Sequence, residues 1–157
     1  MNLIRATNFW NCTLAAAAMV MDCSLQGLEK LIGHDGSEII NPTLNPPLNR
    51  KGFHMQEIID AAFKIGYSLT PVEASPVQTA TGHDRYTIFR GTAAKKRLND
   101  YLINFRGIIV GPKPNNVWHA VAWDGLNVYD PVGKIYPLDD IKINIKLFWA
   151  AIEYKIN

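Results

Sequence analysis

The chain has 157 residues, of which 48% are hydrophobic and 19% charged, and its formal net charge is +2. That balance is ordinary for one folded domain with a sizeable core, and it excludes a disordered chain. The small charge gives no support to a nucleic-acid partner, and no apolar stretch approaches the roughly 20 residues of a membrane span.

The first predicted element is a helix over Thr13 to Met21, free of glycine and proline, with Asn11 as its N-cap candidate. The apolar stretch Leu14 to Val20 starts late and follows a single basic residue, Arg5, so no secretory signal is expected. Cys12 and Cys23 fall near the two ends of this helix, about 16 Å apart if it continues through, which is beyond disulfide reach. A reducing, cytoplasmic compartment fits that usage. Ser24 to Ile32 reads as a second short helix with Leu25, Leu28, Leu31 and Ile32 on one face and Gly33 as its stop.

Residues 34–52 are rich in proline and asparagine and read as a long loop, a kind that is usually functional or mobile. Phe53 to Ile65 is an amphipathic helix with Met55, Ile58, Ile59, Ala62 and Phe63 as its apolar stripe, ended by Gly66. Tyr67 to Val72 reads as a strand interrupted by Pro71. Residues 73–91 are turn-rich, with a short strand expected at Tyr86 to Phe89, and Thr92 to Phe105 is a further helix capped by Thr92. From Gly107 the pattern is β: Ile108 to Val110, a hairpin over 117–130, Ile135 to Pro137, and a last strand near Leu147 to Tyr154, with a helical turn at Leu138 to Ile141. Helices first and an antiparallel sheet second make an α+β arrangement.

The hairpin carries the most chemistry. Residues Val117 to Trp123 alternate in character, Asp124-Gly125 is a strong turn signal, and Leu126 to Tyr129 resume the alternation. With Asp124 and Gly125 as a two-residue loop, Trp123 pairs with Leu126 and, four rungs on, His119 pairs with Asp130. Directly opposed side chains lie roughly 4.5–5.5 Å apart at Cβ, so an imidazole–carboxylate contact is predicted. Cys12 falls in the first turn of the first helix, where free N–H groups and the helix dipole favour a thiolate. The same N–H groups could hold an oxyanion. Taken one at a time, a cysteine on an apolar helix and a histidine in a strand are usually structural; in combination they are the parts of a nucleophilic cysteine site.

The segments N-C-T-L-A-A-A-A-M-V-M and H-A-V-A-W-D-G-L-N-V-Y-D-P resemble the papain-like cysteine peptidases, in particular the compact C39-like group of bacteria and phages. In that superfamily the catalytic cysteine starts the central helix, and the histidine and Asp/Asn come from the sheet that follows. The resemblance implies a papain-like fold over 1–157 and a hydrolase working through a thioester, with Cys12 as nucleophile, His119 as base and Asp130 as its orienting partner. It departs at two points: Thr13 stands where the group usually has glycine, and the glutamine that usually precedes the cysteine is missing. Asn8 or Asn11 is the candidate replacement for that oxyanion-binding amide.

Trp10 and Trp118 are candidate walls of a substrate groove, and His34-Asp35 could line the cleft or form an ordinary turn, the reading favoured for it. A peptide or protein is the expected substrate, and neither a cofactor nor a metal is expected, since His34, His54, His83 and His119 lack ligand spacing. An acyltransferase or transglutaminase would use the same triad. A non-catalytic peptide- or protein-binding module, such as an inhibitor of a host protein, is the rival class.

Overall fold

The computed structural model describes residues 1–74 and 92–154, and the strand expected at 86–89, like His83, lies outside them. Among the described residues the chain forms four helices, α1 (Cys12–Val20), α2 (Leu25–Ile32), α3 (Met55–Lys64) and α4 (Thr92–Asn104). Six strands accompany them: β1 (Tyr67–Glu73), β2 (Gly107–Pro112), β3 (Trp118–Trp123), β4 (Asn127–Asp130), β5 (Lys134–Pro137) and β6 (Leu147–Glu153). The strands build one sheet in the order β1-β6-β2-β3-β4-β5, with every neighbouring pair antiparallel. The expected α+β class is therefore present, and the turn foreseen at Leu138 is a 3-10 helix over Leu138–Asp140.

Both faces of the sheet are covered, which explains why its central strands are apolar at successive positions. Ile108, Ala120, Ala122 and Ala151 pack with α1, α2 and α3, whereas Ile109, Val121, Trp123, Phe148 and Ala150 pack with Leu98 and Leu102 of α4. Helix α1 is the centre of the first layer: Leu14 to Val20 are each at most 1% exposed. A helix apolar on every side is one surrounded by protein. Its run Ala15–Ala18 brings no side chain beyond Cβ, so the helix axis can lie close to the sheet.

Local chemistry sets the element ends. The Ser24 hydroxyl accepts the Gly27 N–H at 3.0 Å and starts α2, and Gly33 ends it in the left-handed conformation at φ 94°. The stripe expected on α3 is rotated: Ile58, Ala61 and Ala62 are buried, while Phe63 is 67% exposed and stacks on Tyr154. Pro71 does not interrupt β1, because β1 is an edge strand and the missing N–H costs no ladder bond on its open side.

Gly111 of β2 lies opposite His119 and leaves no room for a side chain. A Cβ there would stand 2.0 Å from the Asn144 carbonyl oxygen, a backbone atom of the segment held to β2 by the Asn144 N–H to Pro112 O bond. Gly111→Ala is expected to cost about 2–3 kcal/mol through the backbone shift it forces, measurable as a lower urea midpoint at unchanged slope.

Candidate active site

Cys12 is the first residue of α1. The first helical bond runs from the Ala15 N–H to the Asn11 carbonyl at 2.9 Å, so the N–H groups of Cys12, Thr13 and Leu14 have no acceptor inside the helix. Asn11 occupies the N-cap position without capping through its side chain. It is fully buried, and its amide nitrogen donates to Thr7 Oγ1 at 2.9 Å. The N-cap expected of the Asn11 side chain is not formed, and its Oδ1 is buried without a partner among the described residues. Asn8 is differently arranged: its Oδ1 accepts the Trp10 N–H at 3.1 Å, and no protein partner is recorded for its Nδ2 among the described residues.

The two strands that carry His119 and Asp130 are offset from the register expected for a two-residue loop. Observed pairs are Trp123 with Val128 and Ala122 with Tyr129. The loop is four residues long because the Asp124 carboxylate accepts the N–H groups of Leu126 at 2.8 Å and Asn127 at 2.7 Å, and the Asp124 N–H reaches Asn127 O. The slip is two residues, an even number, so each side chain keeps its face. Asp130 becomes the diagonal neighbour of His119 instead of its direct opposite, and the contact survives: His119 Nε2 lies 2.8 Å from Asp130 Oδ1. His119 is 8% exposed and Asp130 6%.

The shared ladder of β3 and β4 stops at Ala122–Tyr129, before it reaches His119 or Asp130. Val110, opposite Ala120, directs its carbonyl to the Lys146 N–H on the β6 side, which turns the Ala120 N–H away from β2 and toward β4. No β4 residue pairs with Ala120 in the ladder, and its N–H is among the groups that favour a thiolate at Cys12. The helix start is held in this gap by the residues before it, through the Ala6 N–H to Pro131 O bond at 2.9 Å. Since Asp130 occupies Nε2 of His119, Nδ1 is the ring nitrogen left for Cys12.

The electrostatics follow. Burial alone would push the Cys12 thiol up, but the adjoining imidazolium, the Ala120 N–H and the Thr13 hydroxyl, 4.0 Å away, together bring it below the usual thiol value. Burial would push His119 down, yet hydrogen bonds and charge from Asp130 and Cys12 hold it up at about 9. Burial also opposes the Asp130 charge, and His119, the Val132 N–H and the Tyr136 hydroxyl reverse that, so its carboxyl titrates below its usual range. These shifts keep the imidazolium and the carboxylate charged around neutral pH and make the Cys12 thiol easier to ionise than an ordinary cysteine. Cys23 contrasts with it: burial and the Asp22 charge raise its thiol to about 11.

Trp10, His34 and Asp35 form a second cluster at the loop over residues 34–52. Trp10 Nε1 donates to Asp35 O at 3.2 Å, and the Arg50 guanidinium lies 5.1 Å over the Trp10 ring while Nη1 donates to Ser37 O at 2.6 Å. Trp10 thus fastens the loop over residues 34–52 to the chain before Cys12. Asp35 makes the turn its sequence suggests, its Oδ1 accepting the Ser37 N–H and hydroxyl. His34 is committed elsewhere: its Nε2 lies 2.9 Å from Glu57 Oε1 of α3, its Nδ1 accepts the Gly36 N–H, and its ring stacks on Phe53. Trp118, beside His119 in sequence, is 53% exposed, more than Trp10.

Tyr136 of β5 touches the site without having been expected there, its hydroxyl donating to Asp130 Oδ2 at 3.1 Å. The Gly133 turn between Asp130 and Lys134 was the available signal. It pairs those two residues across β4 and β5 and places Tyr136 diagonally on the Asp130 face. Among the described residues no cluster of His, Cys, Asp and Glu could hold a metal ion, and no helix is long and apolar enough to cross a membrane. No family model matches the chain, and no curated protein matches it.

Proposed function

We propose that the protein is a cysteine peptidase or related amide hydrolase of papain-like type, working through Cys12, His119 and Asp130. The supporting observation is the arrangement of the three groups. A half-buried thiol with a lowered pKa faces an imidazole raised to about 9, and that imidazole is held from behind by a buried carboxylate at 2.8 Å.

In this reading the Cys12 thiolate attacks the carbonyl carbon of a peptide or protein substrate. The oxyanion that forms is held by the free first-turn N–H groups of α1 and by Asn8 Nδ2, which takes the place of the missing glutamine. His119 gives its Nδ1 proton to the departing amine, leaving an acyl thioester on Cys12. Water, deprotonated by His119, attacks that thioester, releasing the acid and restoring the thiolate–imidazolium pair. Asp130 fixes the ring orientation and stabilises its charged form throughout.

Reaction with p-nitrophenyl acetate and with a fluorogenic peptide library, read by mass spectrometry and fluorescence, tests this. An acetyl group is expected on Cys12 and not on Cys23, with peptide turnover that falls about 10³-fold or more in Cys12→Ala. A protein that neither acylates at Cys12 nor cleaves any peptide is not a hydrolase of this kind.

A further inference from the structure

Asp130 is nearly enclosed, and each of its two carboxylate oxygens has a donor. Oδ1 takes His119 Nε2 at 2.8 Å and the Val132 N–H at 3.1 Å, while Oδ2 takes the Tyr136 hydroxyl at 3.1 Å. Rotation of the carboxylate about Cβ–Cγ is opposed at Oδ1 by the imidazole and the backbone N–H, and a second, separate restraint comes from the donor on Oδ2. Tyr136 reaches it from β5, whose register against β4 is fixed by four pairs from Asn127–Pro137 to Asp130–Lys134. The tyrosine ring packs against the α4-side core, which anchors the hydroxyl.

We propose that Tyr136 is a positioning residue of the site, its hydroxyl holding the Asp130 carboxylate in the orientation that presents Oδ1 to His119 and thereby keeps Nδ1 on Cys12. The proposal rests on the triad reading above and adds a fourth residue to it. The hydroxyl stays a donor over the working range, because burial and then the facing Asp130 charge disfavour its ionisation. Without it, Oδ2 would be a buried carboxylate oxygen with no donor, and rotation toward the Val132 N–H would relieve that at the expense of the bond to His119. The imidazolium would then be less stabilised and the Cys12 thiolate with it.

The test is the pH profile of Cys12 alkylation by iodoacetamide in wild type, Tyr136→Phe, Asp130→Asn and the double variant. Tyr136→Phe retains the ring and its packing. It is expected to slow Cys12 at pH 6.5 by about five- to tenfold, to move the profile toward alkaline pH, and to converge with wild type above the range where the thiol ionises unaided. In the Asp130→Asn background the same substitution is expected to change the rate by less than about twofold, since it acts through the carboxylate. An unchanged profile, or equal losses in both backgrounds, overturns the proposal. So does a lowered melting temperature with the profile intact, which makes Tyr136 structural only. If wild-type Cys12 reacts no faster than Cys23, the triad reading has failed instead; if His119→Ala removes the enhancement and Tyr136→Phe does not, only the Tyr136 role has failed.

Discussion

At pH 7, iodoacetamide is expected to alkylate Cys12 about a hundredfold or more faster than Cys23 in the folded protein, resolved by peptide mapping. Both thiols are free and both are partly buried, so simple access does not decide the ratio. Charge does. Cys23 has burial and then the Asp22 carboxylate against its ionisation, and at a pKa of about 11 only about one molecule in 10⁴ is a thiolate at neutral pH. Cys12 is also penalised by burial, but His119 outweighs the penalty, with the Ala120 N–H and the Thr13 hydroxyl adding to it. His119→Ala leaves burial unopposed by any imidazolium, and Cys12 should then slow by at least about tenfold while Cys23 is unaffected. Equal rates for the two cysteines in the wild-type protein would remove the basis for a nucleophile at position 12.

Asp130→Ala should be the most destabilising substitution in the site, costing about 3–5 kcal/mol near pH 6 by denaturant unfolding, because it breaks a buried pair and strands the other partner. It leaves His119, the Val132 N–H and the Tyr136 hydroxyl without their common acceptor. The cost should depend on pH with a definite sign. His119 is raised from 6.5 to about 9 in the folded protein, so its contribution is complete below pH 6.5 and fades as pH climbs to about 9. The difference between wild type and Asp130→Ala is therefore expected to shrink from pH 6 to pH 10. A gap that is constant or grows over that range would mean that the pair does not hold the charge on the imidazole.

Much of this could be read from the residues. Gly33 and Ser24 bound α2 as their backbone and hydroxyl chemistry requires, and the alternation around Asp124-Gly125 gives β3 and β4. The His119–Asp130 contact is found although its register is not. Turn type depends on which N–H groups a side chain captures, and the Asp124 carboxylate captures two, lengthening the loop. The contact is insensitive to that because a two-residue slip preserves faces. Where tertiary placement decides, local pattern falls short. Ala61 is in the core and Phe63 is out because α3 packs through its small residues, and Asn11 turns to Thr7 instead of capping. Tyr136 is legible only through the Gly133 turn, since its link to Asp130 exists only after β5 has folded back there.

The alanine run of α1 has a consequence for how such a protein can change. Seven successive residues behind the sulfur sit in contact with sheet and helices and leave no slack, so any added carbon at Ala15 to Ala18 displaces the whole rod, Cys12 included. The loop over residues 34–52 touches the nucleophile chain mainly through Trp10, Arg50 and Asp35, and otherwise exposes Ile39, Ile40, Leu44 and Leu48 to solvent. Variation is thus channelled: Cys12 rides on an element that selection can hardly alter, beside a loop whose outward residues can be rewritten with little effect on it.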